Sequence, residues 1–271
     1  MRSVALPCGR VEDFMSLYDR ITEWQGSQPW GAVLDAGTGR GSMRWLLAQR
    51  TERWTAVTGA QLMAETVQRD VGTRLRPQDR IVVGNWMDPQ LLADERYDTV
   101  LADYLLGAVD AFAPYWQDQL FSRLQPLVRG RLYVIGLEPY TPYVPDDAAG
   151  RVISDIGRLR DACMLLARER PYREYPLDWV LRSLRAAGFR ILDAQRVAIR
   201  YGERFVNSQL DMCTRTLGKL ADRKLALTLH EHVADLRARA LALSADAGGL
   251  LHGHDYIVMA ETARSGAGIG E

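Results

Sequence analysis

Between Val33 and Ser42 the chain reads VLDAGTGRGS, with glycines at 37, 39 and 41 and an acidic residue, Asp35, just before them. Glycines at alternate positions let the backbone turn tightly and meet a ligand where a Cβ would collide. The helical pattern that opens at Ser42 adds unpaired N–H groups, which favour a polar or anionic group. A loop of this kind after an apolar strand lies at the carboxyl end of a parallel sheet, where ligands bind. Two other strand exits carry groups able to move a proton, Asp103 with Tyr104 and Glu138 with Tyr140. A carboxylate or phenol there can accept a proton from an amine or hydroxyl, or hold a cation by charge. The competing role for Asp103 and Glu138 is to bond backbone amides or arginines.

Spacing narrows the ligand. A dinucleotide fingerprint needs G-x-G-x-x-G, and Ser42 stands in its third glycine slot. A phosphate loop needs G-K followed by Ser or Thr, which the chain lacks. What remains is D-x-G-x-G-x-G after an apolar strand. That motif resembles the first motif of the class I S-adenosylmethionine-dependent methyltransferases, and the likeness extends from about Tyr18 to Glu261.

The resemblance implies S-adenosylmethionine as cofactor and S-adenosylhomocysteine as product. It assigns Asp35, Gly37, Thr38, Gly39 and Gly41 to the cofactor's methionine end. The family's second strand ends in an acidic residue that holds the ribose hydroxyls; here Gln61 takes that slot, a neutral amide that gives up the charge-assisted part of the bond. After the third strand Asn85 and Trp86 fall against the adenine, with Asp88 a rival for its amine and core filler a rival role for Trp86. Asp103 falls near the sulfonium and the acceptor. The [DN]-P-P-[YF] sequence of base- and glutamine-methylating relatives is replaced by Asp103-Tyr104-Leu105-Leu106, which disfavours that subclass. Candidate catalytic residues are Asp103, Tyr104, Glu138 and Tyr140; Tyr18, Tyr172, Tyr175, Arg200, Tyr201 and Asn207 are candidates for the acceptor pocket.

These residues require a scaffold, and the pattern supplies one. Apolar runs at 31–36, 54–59, 80–84, 97–102, 130–137, 189–197 and 255–260 alternate with helical spacing at 42–50, 62–71 and 113–128. The expected fold is α/β, a seven-stranded, mostly parallel, doubly wound Rossmann-like sheet with helical cap insertions. The family resemblance implies an antiparallel direction at the fifth strand. We read one domain, 1–271: an N-terminal helical segment at 1–30 with Val11, Phe14, Leu17, Tyr18 and Ile21 on one face, a cofactor core at 31–137, helical caps at 141–187 and 204–250, and a tail from 262.

Composition excludes more than it assigns. Among 271 residues, 34 Lys and Arg balance 34 Asp and Glu, so the broad positive field that grips nucleic acid or an anionic membrane is absent. No apolar run reaches the roughly 20 residues that span a bilayer. Cys8, Cys163 and Cys213 form no CxxC pair, and His230 and His232 diverge on a helix, so neither a disulfide frame nor a metal site is expected. The expected protein is a cytoplasmic enzyme acting on a small-molecule acceptor, with no metal, nucleic-acid or membrane partner; the N-terminal helix leaves a homodimer open without indicating one. The alternatives are a protein side-chain methyltransferase and a cofactor-binding protein without transfer activity.

Overall fold

The computed structural model describes residues 16–263. Seven strands form one sheet in the order β3-β2-β1-β4-β5-β7-β6. They are β1 (Ala32–Asp35), β2 (Arg53–Thr58), β3 (Arg80–Val83), β4 (Tyr97–Asp103), β5 (Val128–Leu137), β6 (Phe189–Tyr201) and β7 (Leu250–Thr262). Every residue of β1 is buried, as a central parallel strand covered on both faces must be.

The antiparallel strand is β7, which pairs antiparallel with both β5 and β6, whereas β5 runs parallel to β4. The expectation for the fifth strand is therefore corrected. The segment between β6 and β7 forms helices that pack together rather than a crossover along the sheet. β7 also continues through Thr262, so the last strand occupies the start of the expected tail.

Nine α-helices are described: α1 (Leu17–Gln25), α2 (Arg40–Leu46), α3 (Gln61–Val71), α4 (Leu105–Val109), α5 (Gln117–Leu124), α6 (Ala148–Leu166), α7 (Leu177–Ala186), α8 (Glu203–Leu217) and α9 (Arg223–Asp246). A capping box of Ser16 and Asp19 opens α1; the Val11 and Phe14 part of that expected helix lies outside the described residues. Ile21, Met43, Trp45 and Val67 cover one face of the sheet. Trp86, Phe121, Leu124, Val180 and Leu184 cover the other. Each large side chain so buried stabilises the fold by about 1.5–3 kcal/mol.

A third apolar cluster joins α6, α8 and α9 through Ile153, Ile156, Leu210, Val233 and Leu236, with Tyr140, Tyr201 and Leu250 at its edge. Helix α7 does not belong to it. Its Leu177, Val180 and Leu184 pack into the sheet's own core, so the expected 141–187 cap contains one helix of the cofactor core. Strand order reverses between β1 and β4, and the crevice outside their carboxyl ends is the place where open α/β sheets bind ligands.

Candidate functional site

The glycine loop leaves β1 at this switch point. Thr38 N–H bonds the Val57 carbonyl (2.7 Å) and Ala36 N–H bonds the Leu101 carbonyl (2.8 Å), which ties the loop to β2 and β4. Ser42 links loop to helix: its hydroxyl accepts from Gly39 N–H (3.0 Å) and donates to Asp35 (2.7 Å). The serine that spoils a dinucleotide fingerprint thus orders the loop. Asp35 is fully buried, and its second oxygen has no hydrogen-bond partner. Burial raises its carboxyl to about 7; Ser42, the neighbouring Thr38 hydroxyl and the Gly37 backbone lower it, and the Asp103 charge raises it.

A cleft of about 280 Å³ opens beside this loop, lined by Gly37, Thr38, Met63, Asn85, Trp86 and Phe112 among others. Trp86 belongs to the core, donates its indole N–H to the Ala36 carbonyl (2.8 Å), and lines the cleft. Asn85 lines the cleft but spends its amide on the Phe112 carbonyl (2.9 Å) and its oxygen on Met87 N–H (3.0 Å). Asp88 caps a turn through Gln90 N–H and is exposed. Gln61 corrects expectation more plainly. As the first residue of α3 its side chain is exposed, bonds Glu65 (3.2 Å) and stays out of the cleft. At Gly39 an added Cβ would meet nothing within 4 Å; at Gly41 it would approach the Tyr18 hydroxyl (3.1 Å).

Beyond β4, Asp103 accepts the Tyr18 hydroxyl (2.7 Å) and leaves its other oxygen buried without a partner. Burial pushes Asp103 up, against the Tyr18 bond. Tyr104 adopts a left-handed backbone (φ 46°), a cost of order 1 kcal/mol for a residue with a Cβ. Its phenol is held far above the ordinary range by burial and by Asp255. Asp255 itself is raised to about 6, chiefly by burial.

A second cavity, about 300 Å³, adjoins the first; Tyr172 lines both. Tyr140, Thr141, Arg160, Glu174 and Tyr175 are among its walls. Tyr201 is buried nearby, with its ring 6.4 Å from that of Tyr140. The structure thus brings Tyr140 to a cavity and places Glu138 elsewhere. Glu138 pairs with Arg196 (2.7 Å) and accepts Leu177 N–H (3.2 Å) at the start of α7. Its part is structural, so Glu138→Gln is expected to lower stability by about 0.5–1 kcal/mol in a denaturant melt, because Arg196 is half exposed. S-adenosylhomocysteine affinity should not change. Asn207 likewise sits outside the cavities, between Glu203 and Arg237 on the α8–α9 interface. Arg200 is exposed on β6, beyond both linings. Two half-buried acids, Glu174 and Asp255, are additions: nothing in REYP or DYIV marks either as inward-facing, although Tyr172 and Tyr175 flank the first.

No protein-family profile and no curated protein sequence matches the chain. Solved structures do. A candidate methyltransferase from Bacillus halodurans superposes with a TM-score of 0.59 at 14% identity, over 91% of this chain and 98% of that one. The mycolic acid cyclopropane synthase CmaA1, solved with S-adenosylhomocysteine, gives 0.53 at 18% identity over 93% and 87%. This is the class I methyltransferase fold. A third structure, the [4+2]-cyclase SpnF, gives 0.55 at 19% identity over 91% and 79%, so the methyltransferase fold also carries other chemistry. Among the described residues no helix is long and apolar enough to cross a membrane, and no group of three His, Cys, Asp or Glu is placed to hold a metal ion.

Proposed function

We propose that this chain transfers a methyl group from S-adenosylmethionine to a nitrogen or oxygen of a small molecule. The observation that carries the reading is the D-x-G-x-G-x-G loop, set at the β1–β4 switch point beside an apolar cleft and next to buried Asp35 and half-buried Asp103, each with one oxygen shut from solvent. Such a site suits a ligand that is flat and apolar at one end and cationic at the other. Met63, Trp86 and Phe112 offer apolar surface to a purine. Asp35 and Asp103, outside the cleft lining, offer negative charge behind the glycine loop and at the end of β4. CmaA1, which shares the fold, was solved with S-adenosylhomocysteine.

When bound, S-adenosylmethionine supplies an electrophilic methyl group on a sulfonium. The remaining work is alignment and exclusion of water. The glycine loop and Trp86 fix the donor, Tyr18 holds Asp103, and the Tyr140 side receives the acceptor. Isothermal titration with S-adenosylmethionine, S-adenosylhomocysteine and NAD⁺ tests this. Binding of the first two with no heat from NAD⁺ is the expected result; binding of neither would overturn the reading.

Binding without transfer is the second reading. It draws on Gln61, which turns away from the cleft and leaves the end of β2 without the carboxylate that would hold a ribose. Formation of S-adenosylhomocysteine in the presence of acceptors separates the two readings.

A further inference from the structure

Charge in the second cavity is unbalanced. Glu174 keeps one carboxylate oxygen shut from solvent with no hydrogen-bond partner, and the Tyr201 hydroxyl close to that wall has none either. The cations nearby are committed. Arg160 bonds Asp161 (2.6 and 2.8 Å) and Gln209 (3.0 Å), and Arg173 lies 3.9 Å from Asp110 and over the Tyr115 ring. A carboxylate oxygen shut from water without a hydrogen bond is costly when ionised, and with both wall arginines drawn toward other carboxylates the site favours a further positive group.

The position of Glu174 is specified from several sides. Its carboxylate packs on the bare backbone of Gly107, where any Cβ would collide with it. Tyr256 donates to the Tyr175 carbonyl (3.0 Å), and Glu138 holds Leu177 N–H, pinning the segment after it. Tyr140 and Tyr175 bound the space with aromatic surface, and Tyr172 connects it to the glycine-loop cleft.

We propose that the second cavity is the acceptor site and that it selects an organic amine, received as its ammonium ion by Glu174 between tyrosine rings. This assignment rests on the methyl-transfer reading. Tyrosine faces favour a cation, and a carboxylate supplies the charge-assisted hydrogen bond. In the reaction Glu174 removes one proton from the ammonium. The freed nitrogen lone pair forms the new C–N bond, the methyl C–S bond breaks with its electron pair going to sulfur, and the product leaves as a methylated ammonium. Burial raises Glu174 to about 7, opposed by Arg160 and aided by Asp255, which suits a group that must both hold a cation and accept a proton near neutrality.

The test is calorimetry on the intact chain saturated with S-adenosylhomocysteine, using benzylamine, phenethylamine and cyclohexylamine beside the matching alcohols and carboxylic acids. Amines are expected to bind best, and Glu174→Gln should weaken them roughly tenfold or more while S-adenosylhomocysteine affinity is retained. Gly107→Ala, which displaces the carboxylate without removing it, should weaken amines as well. Alcohols or acids binding as tightly as amines, or amine affinity indifferent to both variants, would overturn the assignment. S-adenosylhomocysteine binding with no amine bound would also overturn it while leaving the cofactor reading intact. Amine binding without any S-adenosylhomocysteine binding would remove the methyl-transfer reading and keep the amine site.

Discussion

Gly39→Val should leave the melting temperature almost unchanged and weaken S-adenosylmethionine by at least about 100-fold, a loss of roughly 2.7 kcal/mol. The two halves of that result have separate causes. Gly39 has φ −138° and ψ −178°, extended backbone that a β-branched residue adopts readily, and a Cβ there meets no atom within 4 Å. Its N–H stays bonded to Ser42, whose hydroxyl still reaches Asp35. The protein therefore tolerates the side chain, which enters open space beside the loop; on the proposed reading the ligand occupies that space. Gly37 makes the control. A Cβ at that position comes 2.9 Å from Leu105, so Gly37→Val should lower the melting temperature of the empty protein as well. Thermal melts with calorimetry on both variants read the difference. Wild-type affinity in Gly39→Val would remove the glycine loop from the binding site.

The strands were legible because central parallel strands are apolar throughout and end at glycines or turns; VLDAG and RIVVG show this without any tertiary information. Short α4 was not, since LLGAV is apolar all round and reads as readily as core strand. Helix α7 reads as part of the cap because its approach, RERPYREYP, is polar; the spacing that turns it onto the sheet rests on three residues, Leu177, Val180 and Leu184.

Site residues divide on the same ground. The glycine loop is a local motif, and local motifs survive the passage to three dimensions. Gln61 stands at the right distance along the chain, yet its place at the first position of α3 turns the side chain outward. Glu138 leaves a buried strand at the ligand end, as a catalytic carboxylate would, but its partner Arg196 is 58 residues away and no local pattern announces it. Glu174 is the reverse case. It reads as a surface charge in a polar loop, and only the packing of that loop on Gly107 buries it.

Lowering the pH should stabilise the ligand-free protein across a window where acid usually does nothing or harm. Asp35 and Glu174 are raised to about 7 and Asp255 to about 6, with burial the largest cause in each. In the unfolded chain these groups ionise near their ordinary values of about 4. Between about pH 4 and 7 the folded state therefore binds more protons than the unfolded one, and stability falls as pH rises through that interval. Glu95 and Asp147 are shifted the other way, and their contribution is lost only at lower pH, below the ordinary carboxylate range. His252, lowered mainly by burial, opposes the trend near its ordinary value, so the informative quantity is a difference between proteins. Asp35→Asn keeps the shape of the side chain and cannot ionise; its melting temperature should decline less steeply than wild type from pH 5.5 to 8. A gap of several degrees at the alkaline end is expected, at roughly 2–4 °C per kcal/mol for domains approaching this size. Wild-type and Asp35→Asn profiles that run parallel would show that Asp35 is ionised at no cost in the folded protein. A cationic ligand reverses the balance, because it favours the ionised carboxylates. S-adenosylmethionine should accordingly bind more tightly as pH rises through the same window and release protons on binding, seen as a dependence of the calorimetric heat on the ionisation enthalpy of the buffer.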